Sequence, residues 1–155
     1  MANAQSYPTD ITVNHKPSGG LYLLTSQQNL VSGNSTLVNL NTVISGFSDG
    51  IEDTANKKIT VTKAGLYLVQ AQVTFFSVVA AKHYQIHIYK DAAGKKAGYG
   101  HSSVTDELSI PLSFFIRCAV NESILMKAIS FAGVDTVDIR NGADLTFLEL
   151  HYMRE

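Results

Sequence analysis

The chain has 155 residues, with 12 Lys and Arg against 13 Asp and Glu, a formal net charge of −1. A chain of this length folds to a surface of about 7,600 Å² against about 24,000 Å² when extended, so roughly two-thirds is buried and one domain stands without staples. Near-neutrality leaves no basic field for nucleic acid or an anionic membrane, and a single cysteine, Cys118, excludes an internal disulfide framework. The charged fraction is 16%, below the roughly 25% usual for a soluble domain, which points to surface covered by a partner.

Residues 1–20 hold Pro8, Pro17 and the Gly19-Gly20 pair with few large apolar groups, and read as a polar N-terminal arm ahead of a domain at 21–155. The first ten residues lack a basic stretch followed by an apolar one, so no secretory leader is expected. No run approaches the ~18 apolar residues of a membrane span. From Leu21 onward, short apolar runs alternate with turn clusters. Runs at 21–24 and 37–40 precede the turn signal Ser48-Asp49-Gly50, and the β-branched Ile59-Thr60-Val61-Thr62 stops at Lys63-Ala64-Gly65. Longer runs at 66–80, 84–90, 108–120 and 124–131 follow, then the turn dipeptide Asn141-Gly142 and a last run at 145–153. No window sustains an apolar 3.6-residue period, so the expected class is all-β, a sandwich or a barrel.

Two of the strands carry few charges on either face. After Gly65, one face holds Tyr67, Val69, Ala71, Val73 and Phe75, and the other Leu66, Leu68, Gln70, Gln72 and Thr74. After Leu108, one face holds Ile110, Leu112, Phe114, Ile116 and Cys118, and the other Pro111, Ser113, Phe115, Arg117 and Ala119. A sheet with one side in water shows polar and charged groups there. These second faces are small, amide or aromatic instead. Two readings account for that: another copy of the chain covers the outside of the sheet, or the faces belong to a larger internal core. The chain is short for a three-layer all-β domain, which favours the first.

The stretch Gly65-Leu66-Tyr67-Leu68-Val69-Gln70-Ala71-Gln72-Val73-Thr74-Phe75, preceded by Ile59-Thr60-Val61-Thr62-Lys63-Ala64, resembles the signature strand of the tumour necrosis factor superfamily and of the globular heads of complement's first component. The order of later elements agrees: a strand, a short polar turn at Asn121-Glu122-Ser123 where the family usually has Gly-Asp, a further strand, and a C-terminal aromatic strand. The resemblance spans about residues 21–153. It implies a two-sheet antiparallel jelly-roll sandwich of about ten strands that assembles as a compact homotrimer. Carried over position by position, it places Leu68, Gln70 and Gln72 at the threefold interface with Phe115 and Arg117, and puts Tyr67, Val69, Val73 and Phe75 in the core. On the last strand, hydrophobicity assigns Thr146, Leu148, Leu150 and Tyr152 to the core. Glu149 and His151 then fall at the interface near Arg117, where a charge-assisted pair is expected.

Catalytic, cofactor and metal chemistry find little footing. His83 and His87 sit on a strand pattern about 13 Å apart, with Gln85 between them, so a shared metal is not expected. Cys118 alternates with core positions and reads as a buried small hydrophobe. No nucleophile elbow, phosphate loop or paired-histidine zinc motif occurs. Asp49, Glu52 and Asp53 form an acidic turn that either is simply solvated or holds calcium. The expectation is a non-enzymatic protein with no cofactor.

Similar jelly rolls occur on phage particles as capsid decoration proteins or fibre tips. With no stalk, anchor or leader in view, the first functional reading is a structural protein of the virion, assembled in the host cytoplasm and carried outside on the particle. Its partners are itself and a capsid or fibre protein bound through residues 1–20. The second is a receptor- or glycan-binding module acting through loops near 45–58, 91–100 and 134–142.

Overall fold

The computed structural model describes residues 17–25, 28–46, 51–103, 105–134 and 137–155. These form strands only, in two antiparallel sheets. One sheet contains β1 (Ser18–Tyr22), β2 (Gln28–Leu30), β4 (Thr42–Val43), β7 (Gly65–Phe76), β10 (Glu107–Cys118), β12 (Val137–Ile139) and β13 (Phe147–Arg154). The other contains β3 (Thr36–Leu37), β5 (Glu52–Asp53), β6 (Lys58–Thr60), β8 (His83–Lys90), β9 (Ala93–His101) and β11 (Ser123–Ser130). The five long apolar runs became β7, β8, β10, β11 and β13, because branched and aromatic side chains on a period of two suit a pleated, half-buried surface.

β7 is the spine of the first sheet. β10 pairs with it over its whole length, from Glu107 opposite Phe76 to Cys118 opposite Gly65. On its other side β13 pairs with residues 66–72 and β12 with 75–76. The second sheet runs β5-β6-β11-β8-β9, with β3 beside the far end of β11. The core lies between the sheets. Tyr67, Val69, Val73 and Phe75 of β7 and Leu148 and Leu150 of β13 are fully buried against Tyr84, Ile86 and Ile88 of β8 and Ile124 and Met126 of β11. Each such side chain contributes about 1.5–3 kcal/mol of burial. Thr146 and Tyr152 are buried too, so the last strand faces as hydrophobicity assigned it.

The resemblance motif has a local physical cause. Gly65 sits at φ +155°, and a Cβ there would lie 2.5 Å from the Arg154 carbonyl oxygen. β7 therefore begins where the irregular end of β13, shifted in register between Tyr152 and Arg154, crosses its backbone. Two residues on, the Tyr67 hydroxyl donates to the Lys63 carbonyl at 2.7 Å, closing the turn that feeds the strand. In the turn from β10 to β11, Asn121 takes φ +70°, a left-handed position that asparagine tolerates well among non-glycine residues.

Two expectations are adjusted. The ordered sheet begins at Ser18, inside the stretch assigned to the arm, because Gly19 and Gly20 pair with Leu150 and Glu149. They are glycines for space: a Cβ on Gly19 would lie 2.8 Å from Ile51, and one on Gly20 2.9 Å from Ile44. Residues 1–16, the rest of the arm, lie outside the described residues. The stretch 91–100, read as a loop, is mostly β9, which pairs along β8 from Lys90 opposite Ala93 to His83 opposite His101.

Candidate interaction face

The outward side of β10, β7 and β13 brings the sequence-assigned interface residues together in rows. Phe115, Leu68 and His151 lie side by side in register, and Ser113, Gln70 and Glu149 form the next row. Pro111, Gln72 and Phe147 follow on one side, and Arg117, Leu66 and Arg154 on the other. All seven assigned positions share this one face. The register adds Leu66, which alternates with Leu68, and Arg154, which only the register shift after Tyr152 brings to this row; Met153 joins them at the same hollow.

The face is not uniformly open. Gln72 donates through Nε2 to the carbonyls of Asp144 at 3.0 Å and Leu145 at 3.3 Å, so a loop of the same chain lies over that row. Thr74, beyond it, is fully buried and donates to the Leu145 carbonyl at 2.7 Å. The uncovered part lies at the other end. Phe115 is 60% exposed and Met153 41%, and with Leu66 and Arg154 they border an open hollow of about 430 Å³. An aromatic ring left in water beside leucine and methionine is the kind of apolar surface that marks an association site.

Charge is arranged differently from the expectation of a local Arg117 pair. Glu149 Oε2 and His151 Nε2 are 3.1 Å apart on the same strand face. Arg117 stands two rows away, opposite Leu66, with β7 between it and Glu149. That offset is about 13 Å along the strand. Among the described residues, no ion pair joins Arg117 to Glu149 or His151.

A second hollow, of about 600 Å³, lies at the end of the sandwich, where Lys63, Lys90, Arg117, Cys118, Glu122 and Glu155 converge. Its lysines are neutralised, Lys63 by Glu155 at 3.2 Å and Lys90 by Glu122 at 2.8 Å. The Lys90 ammonium and a backbone bond from Ala119 hold the Glu122 carboxyl below its ordinary range. Burial pushes the Cys118 thiol up to about 11, which leaves almost no thiolate at neutral pH. Cys118 is therefore expected to resist a disulfide reagent at pH 8 in the native protein and to react at once in denaturant. Fast labelling under native conditions would show the thiol to be open and reactive.

The acidic turn is committed elsewhere. Glu52 accepts from the Gly20 amide at 3.1 Å, and Asp53 accepts from the Asn56 amide at 2.9 Å and its side-chain nitrogen at 2.7 Å. Asp49 lies outside the described residues. His87 points outward as expected, its Nε2 2.7 Å from the Gln85 amide oxygen. Among the described residues, no three of His, Cys, Asp and Glu gather as a metal cage.

No protein-family profile matches the sequence, and no curated protein matches it. Solved structures do. The chain is similar to Eiger TNF from S. frugiperda at TM-score 0.70 and 10% identity, covering 90% of this chain and 94% of that one. This is the tumour necrosis factor-like jelly roll. The globular domain of zebrafish complement 1qA is similar at TM-score 0.61 and 11% identity, covering 90% of this chain and all of that one. Murine APRIL is similar at 0.62 and 15%, covering 88% and 99%. At such identities the likeness concerns the fold, and a shared fold does not fix what the loops and faces do.

Proposed function

We propose that the chain is a non-enzymatic homotrimeric structural protein of a virus-like particle, a decoration or fibre-tip component that attaches through its N-terminal arm. The observation that supports self-assembly is the exposed Phe115, set with Met153, Leu66 and Leu68 on the spine of a jelly roll whose relatives by resemblance pack that sheet around a threefold axis. Homomeric interfaces of this apolar kind bury about 2,000 Å² or more. Arg117, which makes no ion pair among the described residues, then meets the Glu149–His151 pair of a neighbouring copy, which combines apolar closure with a charge that sets the register.

The particle role is supported by the analogy with phage jelly rolls and by the polar composition of residues 1–16, which suits a segment that orders on a partner. Light scattering is expected to return the mass of three 16.8 kDa chains. Removing residues 2–16 keeps Pro17, whose carbonyl accepts from Tyr152 at 3.0 Å, and so leaves β1 intact. The truncated protein is expected to stay trimeric and to stop co-sedimenting with particles assembled in the same host. Undiminished co-sedimentation would remove the arm from the attachment role.

A further inference from the structure

We propose that His83 and His101 form a two-imidazole site for a borderline transition-metal ion of the Cu²⁺, Ni²⁺ or Zn²⁺ class on the outer face of the second sheet. The two residues lie directly opposite each other in the β8–β9 register. Both are exposed, and neither serves the core. Their ring centroids are 4.8 Å apart. Two imidazoles bound to one ion at ~2.0–2.1 Å, with a ligand–metal–ligand angle near ~90–110°, place their centroids about 4.5–5.2 Å apart. The observed spacing falls inside that window; the rings now stand edge-to-face, with 69° between their planes, and rotation about the side-chain bonds of these two exposed residues is needed to turn one nitrogen of each toward a shared ion.

Other histidines of the described chain are occupied differently. His87 is held by Gln85, and His151 by Glu149. Among the described residues, the rings of His83 and His101 contact each other and make no side-chain hydrogen bond, so their nitrogens are available. Imidazole suits copper, nickel and zinc, whereas calcium and magnesium prefer oxygen. Among the described residues no third side-chain ligand joins them, so water completes the shell and the ion is exchangeable.

The bound ion would clip β9 to β8. β9 is an edge strand, paired on one side only, with Gly98 and Gly100 admitting Ile110 of the other sheet at its inner face. A cross-strand link there would tie the last pair of the β8–β9 ladder, at the end away from the hairpin turn.

The test uses the untagged full-length chain, titrated with Cu²⁺ and Ni²⁺ by calorimetry and followed for Cu²⁺ by electron paramagnetic resonance. Saturable binding with hyperfine coupling to two nitrogens is expected. His83→Ala and His101→Ala should each weaken Cu²⁺ binding by roughly tenfold or more, through loss of one of two ligands, while His87→Ala leaves it unchanged. Because both rings are at the surface, the variants should keep the wild-type circular dichroism spectrum. His83→Asn and His101→Asn, which keep a polar group but lose the imidazole, should match the alanine variants. Binding that persists in the His83 and His101 variants, coupling to a single nitrogen, or no saturable binding at millimolar ion would each overturn the site.

Discussion

Phe115→Asp is expected to convert the proposed trimer into single folded chains. The ring is 60% exposed in one copy, so replacing it leaves no hole in the core and breaks no hydrogen bond. In the proposed trimer the same ring is buried, and losing it removes about 1.5–3 kcal/mol of apolar burial per copy. The carboxylate that replaces it must also shed water against Leu66, Leu68 and Met153, with like charges meeting around one axis. Both effects act only on association. Leu68→Asp differs: Leu68 is half-buried between Phe115 and His151, so a charge there is expected to weaken the single chain as well. Light scattering with circular dichroism separates the two. A Phe115→Asp variant that keeps the wild-type trimer mass would show that copies do not meet through this face, and a wild-type protein that sizes as one chain would show that they do not meet at all.

How far the site was legible follows from which signals were local. β7 and β10 announced themselves by period-two alternation, and the same alternation separated Tyr67, Val69, Val73 and Phe75 from Leu68, Gln70 and Gln72. The last strand was resolved correctly by hydrophobicity alone, since Leu148 and Leu150 could only face inward. β9 was illegible for a physical reason. Ala-Gly-Lys-Lys-Ala-Gly-Tyr-Gly-His carries no apolar face, because its inward positions Gly98 and Gly100 are filled by Ile86 and Ile110 reaching in from neighbouring strands. Backbone pairing with β8 makes the strand, and pairing leaves no trace in side-chain pattern. For the same reason the histidine spacing suggested no metal: the meeting of His83 with His101 is a fact of register, 18 positions away in sequence. The cover over Gln72 and the distance from Arg117 to Glu149 were likewise set by tertiary placement, of the 142–146 loop in one case and of β7 between two partners in the other. The Gly19-Gly20 pair misled because glycine marks close packing as readily as it marks a turn.

Tyr67→Ala is expected to lower stability by about 3–5 kcal/mol, the usual cost of deleting a large aromatic side chain from a packed core. The side chain is fully buried. Its ring stands edge-on to Tyr152 with centroids 5.3 Å apart, and Lys63 lies over that second ring at 4.6 Å, so three elements meet at one corner. Burial raises the Tyr67 hydroxyl above the ordinary phenol range, and the group stays a neutral donor to the Lys63 carbonyl. Tyr67→Phe removes only that hydrogen bond, which costs about 0.5–1.5 kcal/mol, since Lys63 is exposed and its carbonyl can turn to water. The alanine variant adds the cavity and the lost contact with Tyr152. Urea unfolding at matched protein concentration gives both values on one scale, which matters because the proposed assembly would make apparent stability concentration-dependent. A steep difference between the two variants places the weight on the ring. Near-equal costs would place it on the Tyr67–Lys63 bond, and would mean that the Gly65-to-Tyr67 turn matters chiefly for how the chain enters β7.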